Sequence, residues 1–234
     1  LADPAAHIEL DLPGAHVRFT TRAGGVSTGP YASLNLGVLT GDDPDAIAEN
    51  RRRAADGAPL AWARQVHGTR VLTVDGAIAP GAAVPDADGV ATAAHGLAAI
   101  VLTADCLPVA LATPEAIAMV HAGWRGLADG VLEEGVRAVR ALGGAGPLHA
   151  AIGPGAGGCC YEVGDEVAAR FPELQRRADR TIDLKAIAAR RLRAAGAVEV
   201  RDVGRCTICE PDVFFSHRAS GGLTGRQGGL AWRS

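Results

Sequence analysis

Residues 102–126 read LTADCLPVALATPEAIAMVHAGWRG. Two apolar runs, LPVALA and AIAMVH, flank a Thr-Pro-Glu triplet, and that pattern predicts a β-hairpin. Paired residues in an antiparallel hairpin have a constant index sum, so a turn centred on Thr113 and Pro114 sets Cys106 opposite His121. Directly opposed Cβ atoms lie about 4.5–5.5 Å apart. A thiolate and an imidazole that close can share one metal ion, given Zn–S of about 2.3 Å and Zn–N of about 2.0–2.1 Å. A slip of one residue would turn one of the two side chains to the other face.

QVHG offers a third ligand, His67, on a predicted strand that ends in a glycine turn. His, Cys and His with a fourth position open is the pattern of a catalytic zinc site rather than a closed structural one. Spacing alone also fits a small core thiol and a histidine making an ordinary hydrogen bond. Gly123 and Gly126 favour the metal reading, because they let the chain leave the strand and start a helix directly after His121. A helix N-terminus at that point attracts phosphate or a carboxylate; Arg125 either adds charge to it or is simply solvated.

The chain has 234 residues, a net charge of −3 and 48% hydrophobic residues. That length can bury a sizeable core. No apolar run approaches the roughly 18 residues of a membrane span, and no basic block supports binding to nucleic acid by charge. Neither a membrane nor a nucleic acid is therefore an expected partner. The cysteine count is odd, at five, and the opening LADPAAHIELDLPG shows no basic start followed by an apolar core. Both features predict reduced thiols in a cytoplasmic protein.

Outward from the hairpin, HVRFT predicts a strand over about 16–21, and GDDPDAIAENRRRAADG a helix capped by Asp42 or Asp43 and stopped at Gly57. LAWARQVHGTRVLTVDG reads as two strands around His67-Gly68, and GLAAIVLTADC as a buried strand. RGLADGVLEEGVRAVRALGG, GDEVAARFPEL and DLKAIAARRLRAAGA have helical spacing, LHAAIGPG and VEVRDVG read as strands, and the glycine-rich tail gives one or two more. Strands and helices mix without a regular βαβ rhythm. The expected fold is a single α/β domain over 1–234 with mixed sheets, not a doubly wound Rossmann sheet. No Gly-x-Gly-x-x-Gly follows a strand, and no phosphate loop ends in Gly-Lys-Ser/Thr.

The other four cysteines stand in GGCCYEVG (Cys159, Cys160) and CTICE (Cys206, Cys209). Cys-x-x-Cys has the local spacing of a zinc ligand pair, but two adjacent cysteines are poor geometry for two ligands. Packed, reduced thiols are the expectation there.

The combination FTTRAGGVS, YASLNLG, QVHG, ADGV, TADCLPV, HAGWRG, IGPG…CCYEVG and FFSHR…TGR resembles the YfiH/YlmD family from about Phe19 to Trp232. Its members carry the older label multicopper polyphenol oxidase (laccase) and are now described as purine nucleoside phosphorylases. The resemblance implies a layered α/β sandwich similar to a bacterial deamidating toxin with a Cys–His pair. It implies a zinc site that maps onto His67, Cys106 and His121. It further implies phosphorolysis of adenosine, inosine, guanosine and 5′-methylthioadenosine, and deamination of adenosine. By the same pattern Asn35 and Arg51 line the nucleoside pocket. Two departures stand out: Gly158 replaces a usual Pro, and Ala219 follows Arg218 where a second Arg is common.

Phosphorolysis needs a bound phosphate, for which Arg22, Arg51 and Arg125 are the candidates. Asp105, beside Cys106, is either an acid/base or a hydrogen-bonding residue at the strand end. The motifs of the usual zinc deaminases, His-x-Glu with Pro-Cys-x-x-Cys, are absent. One alternative is a copper phenol oxidase, against which stand seven histidines with no His-x-His pair; Cu²⁺ can still occupy the same three ligands in vitro. Another is a metal-free hydrolase with Cys106 as nucleophile and His121 as base. A non-enzymatic partner protein ranks last. A monomer or weak homodimer that takes purine nucleosides and phosphate completes the expectation.

Overall fold

The computed structural model describes residues 7–78, 82–172 and 180–233. A five-stranded sheet runs in the order β1 (His7–Leu12), β2 (Ala15–Thr20), β11 (Gln227–Arg233), β6 (Ala98–Thr103) and β3 (Leu60–Ala61). A six-stranded sheet runs β10 (Ala197–Asp202), β9 (Leu148–Ile152), β7 (Leu107–Ala112), β8 (Ile117–Ala122), β5 (Gly89–Thr92) and β4 (Val71–Thr73). Both are mixed: β3 runs parallel to β6, β10 to β9 and β4 to β5, and the remaining pairs are antiparallel. The helices are α1 (Pro44–Ala54), α2 (Trp124–Asp129), α3 (Val131–Ala141), α4 (Asp165–Ala168) and α5 (Leu184–Ala194). This is the mixed α/β sandwich expected, with no Rossmann order.

The β7–β8 hairpin is buried along its whole length, which is why its sequence is continuously apolar rather than alternating. Its two faces feed different cores. Ile117, Met119 and Ala110 meet Val17 and Phe19 of the other sheet, whereas Ala118, Val120, Val109 and Leu111 pack under α3 and α5 with Val136, Val139 and Ile187. The outer face of the five-stranded sheet is covered by Leu34, Leu36 and the end of α1. Arg18 ties α1 down: its guanidinium donates to Ala54 O at 2.8 Å and to Asp56 at 2.7 Å, and it lies over Trp232.

The structure departs from the sequence reading at several points. The hairpin register is Pro108↔His121, not Cys106↔His121. Its turn centres one residue later, on Pro114 and Glu115, because Thr113 closes it by bonding Ala116 through both backbone and hydroxyl. The helix predicted after His121 breaks at Gly130, whose φ of +98° ends α2 after six residues. The helix predicted over 164–174 is the single turn α4, and its last two residues lie outside the described ones. HIELDL alternates by two and forms β1 against β2, an element the sequence reading passed over.

Candidate metal and active site

Cys106 stands where the chain changes sheets. It leaves the five-stranded sheet at Thr103 and enters the six-stranded sheet at Leu107, with only Ala104, Asp105 and Cys106 between. Asp105 takes a φ of +95° to make that corner, a conformation a non-glycine residue holds only when its surroundings over-determine it. They do so here. Its carboxylate accepts the Thr207 hydroxyl at 2.6 Å and the Arg218 N–H at 2.7 Å, and its carbonyl accepts Ala156 N–H at 2.7 Å. With both carboxylate oxygens engaged, Asp105 has the contacts of a positioning residue.

The two-residue displacement of the hairpin register preserves the face, since side chains repeat every two residues. Cys106 therefore still shares a face with His121. His67, on the loop before β4 with a φ of +60°, closes the group. One ligand atom from each of His67, Cys106 and His121 lies within 4.8 Å of the others. The two imidazoles meet edge to face at 4.9 Å, and Cys106 Sγ is 3.8 Å from His67 Nε2. A Cβ at Gly123 would lie 2.8 Å from His67 Cδ2 and 3.1 Å from Cys106 Sγ. Glycine at that position is what allows the three side chains to converge.

Asp88, missed from the sequence although it lies in ADGV, organises the group. Fully buried, its carboxylate accepts the backbone N–H groups of Val66, His67 and Gly68 at 3.2, 2.9 and 2.7 Å. It also lies 2.8 Å from His121 Nδ1. Burial opposes its charge, but these donors outweigh burial and hold the carboxyl below its usual range. An ionised Asp88 can only accept, so Nδ1 of His121 carries a proton in either charge state, and Nε2, once it gives up its own proton, is the atom that would meet a metal. Burial likewise opposes ionisation of Cys106, yet His121 and His67 bring its thiol down to about 6. His121, buried too, is held protonated up to about 9 by the Cys106 thiolate and Asp88. The donor set and the glycine cradle fit a divalent ion with a borderline-soft N₂S preference.

The trio opens into a cavity of about 630 Å³, within the roughly 300–1,000 Å³ of small-ligand sites. Of the residues expected there, Arg51 and Asp105 reach the wall. Arg51 stacks on Trp62 at 4.7 Å and donates its Nε–H to Leu36 O, but its Nη2 is buried with no hydrogen-bond partner among the described residues. Burial without a counter-charge pulls its pKa down to about 10.

The structure does not bring Asn35, Arg22 or Arg125 to the cavity wall. Asn35 is fully buried, spending its amide on Thr40 and Asp42 and its carbonyl on Gly37 and Arg226 N–H groups, so it shapes the loop that forms the wall. Arg22 binds the Ala32 and Pro211 carbonyls. Arg125 is exposed and stacked on Trp124; the six-residue α2 is too short to offer the anion site expected of it. Arg226, Arg218 and Tyr161 line the cavity instead. Tyr161, whose ionisation is opposed first by burial and then by the Cys106 charge, is pushed up to about 12 and stays a hydroxyl donor.

The family model described as multi-copper polyphenol oxidoreductase laccase matches residues 16–234. A purine nucleoside phosphorylase of Corynebacterium glutamicum is 41% identical, over 92% of this chain and 92% of that relative. One of Xylella fastidiosa is 43% identical, over 94% and 93%. The solved structure of YlmD from Geobacillus stearothermophilus superposes with a TM-score of 0.88 at 34% identity, covering 100% of this chain and 97% of that one. Matched over residues 16–234 and alike in fold to YfiH and YlmD, the chain belongs to the multi-copper polyphenol oxidoreductase laccase family.

Proposed function

We propose that the protein is a zinc-dependent purine nucleoside phosphorylase. The observation that carries this reading is Arg51, a half-buried arginine in the wall of the cavity that holds the trio, one of whose guanidinium nitrogens is buried and unpartnered among the described residues. A buried cation without a counter-charge is costly, and a phosphate co-substrate would remove that cost. Relatives named purine nucleoside phosphorylase support the same conclusion. His67, Cys106 and His121 would hold the zinc, which supplies Lewis-acid polarisation and activation of a bound oxygen when present. Asp88 fixes the His121 tautomer, Arg51 holds phosphate, and Trp62 and Tyr161 give the base an aromatic wall with a hydroxyl donor. Adenosine, inosine, guanosine and 5′-methylthioadenosine are the proposed substrates, with deamination of adenosine as a second activity. Copper at the same ligands would account for any phenol oxidation.

A second reading rests on one observation: Cys106, His121 and Asp88 are linked as thiol, imidazole and carboxylate, the order of a cysteine hydrolase. One experiment separates the readings. Adenosine is incubated with and without phosphate, using zinc-loaded and chelator-stripped protein. Phosphate-dependent adenine and ribose 1-phosphate from the loaded protein alone supports the phosphorylase, and inosine supports deamination. Full activity after verified zinc removal would give the hydrolase priority, and no turnover of any nucleoside would overturn both the phosphorylase and the deaminase.

A further inference from the structure

Outside the cavity, the structure gathers the four remaining cysteines into one cluster. The sulfurs of Cys159, Cys160, Cys206 and Cys209 all lie within 4.8 Å of one another, and none is in a disulfide. We propose that these four thiols form a second, structural metal site that binds one zinc ion as a tetrathiolate.

Adjacent cysteines argue against such a site only if the backbone is extended, where successive side chains point to opposite faces. Here it is not. Cys160 and Tyr161 both donate their N–H to Gly157 O at 3.0 Å, so Cys159 and Cys160 sit in a tight turn and both reach Cys209, at 3.4 and 2.9 Å. The Cys206-x-x-Cys209 loop supplies the other half. Its first sulfur accepts N–H groups from Gly157 at 3.2 Å and from Ile208 and Cys209 within the loop. Several backbone donors aimed at one sulfur stabilise a thiolate, as outer-shell hydrogen bonds do around metal-bound ligands. A tetrahedral ion with Zn–S of about 2.3 Å needs sulfurs about 3.8 Å apart; the four lie within 4.8 Å of one another, and the 3.4 and 2.9 Å pairs to Cys209 would open by less than 1 Å to admit the ion. A multinuclear iron–sulfur core would have to fit inside the cage, and a cage this tight holds a single ion. The set is complete at four thiolates, leaving no open position, which marks a structural rather than a catalytic site.

The cluster bears on the cavity through two residues. Thr207, between the two cysteines of the loop, donates to Asp105 at the corner that presents Cys106. Tyr161, next to Cys160, lines the cavity. An ion joining the two loops would therefore hold both Tyr161 and the Asp105 corner in place.

The test is metal content of tag-free protein purified with zinc, measured by plasma mass spectrometry. Wild type is expected to hold two zinc ions per chain, C106A one, and the C206S/C209S double variant one. Because the double variant could fail to fold, a second measurement uses C106A: its four other cysteines should resist alkylation until a strong chelator is added, then all label. Cobalt loaded into C106A should give the visible absorption of a tetrahedral tetrathiolate. One zinc in wild type with none in C106A, alkylation of the four thiols at ordinary rates in zinc, or a disulfide within the cluster would overturn the proposal. These results are independent of nucleoside turnover, so the phosphorylase reading can fail while this one stands, and the reverse.

Discussion

Asp88 Oδ1 lies 2.8 Å from His121 Nδ1, and the same carboxylate receives the backbone N–H groups of Val66, His67 and Gly68. One buried side chain thus fixes a tautomer on β8 and shapes the loop that carries His67. Substituting Asp88→Asn keeps the volume but loses the charge and offers a donor where an acceptor is needed. Zinc affinity and kcat/KM should fall about 10- to 100-fold, read by competition with a chromophoric chelator and by initial rates.

Gly123→Ala tests the cradle. The new Cβ would sit 2.8 Å from the His67 ring and 3.1 Å from Cys106 Sγ. The backbone φ of −71° is ordinary, so the effect is steric. Overpacking of about 1–3 kcal/mol corresponds to roughly 5- to 150-fold weaker metal binding, while the Tm of the metal-free protein should change far less than that of the loaded one.

For metal-stripped protein, alkylation of Cys106 followed by peptide mass spectrometry should show a midpoint near 6. The His121→Ala variant should return it toward the ordinary thiol value of about 8.5. A depressed acid pKa means that the thiolate's contribution to stability is lost as pH falls through about 6; a raised histidine pKa means that the imidazolium's is lost as pH rises through about 9. The two values describe one interacting pair. Its stabilisation of the metal-free protein should therefore be present between those pH values and decline on either side.

Arg51→Met retains an unbranched apolar stem against Trp62 and removes the buried charge. Losing a charge-assisted bond of about 1.5–3 kcal/mol should raise KM for phosphate roughly 10- to 150-fold, with a smaller change for the nucleoside. Without phosphate the Tm of the variant should change little, because removing the unpartnered guanidinium nitrogen offsets the loss of the Nε–Leu36 O bond. A lower Tm with an unchanged phosphate KM would assign Arg51 a packing role only.

Much of the site is legible in the sequence because its signals are local. The apolar runs on either side of Thr-Pro-Glu specify β7 and β8, and the period of two keeps Cys106 and His121 on one face even when the turn centre moves by a residue. His67 follows from a short motif, and α1 and α5 from caps and spacing. Sequence alone also supplies the mixed α/β class, since its strands and helices do not alternate.

What the tertiary structure decided are relations between distant segments. Local pattern cannot express that the chain changes sheets at Asp105, because Thr207 and Arg218, which hold that corner, lie more than 100 residues further on. Nor can it tell Arg51 from Arg22 and Arg125, since each is an arginine in a plausible loop or helix end until packing puts Arg51 alone of the three in the cavity wall, with a buried nitrogen unbonded among the described residues. Asp88 became visible only when Val66–Gly68 and His121 converged on it, and the four sulfurs only when the turn at Gly157 met the loop at Cys206. Periodicity and turn chemistry are written residue by residue. Which side chains share a buried space depends on how the sheets stack, and so on the whole chain at once.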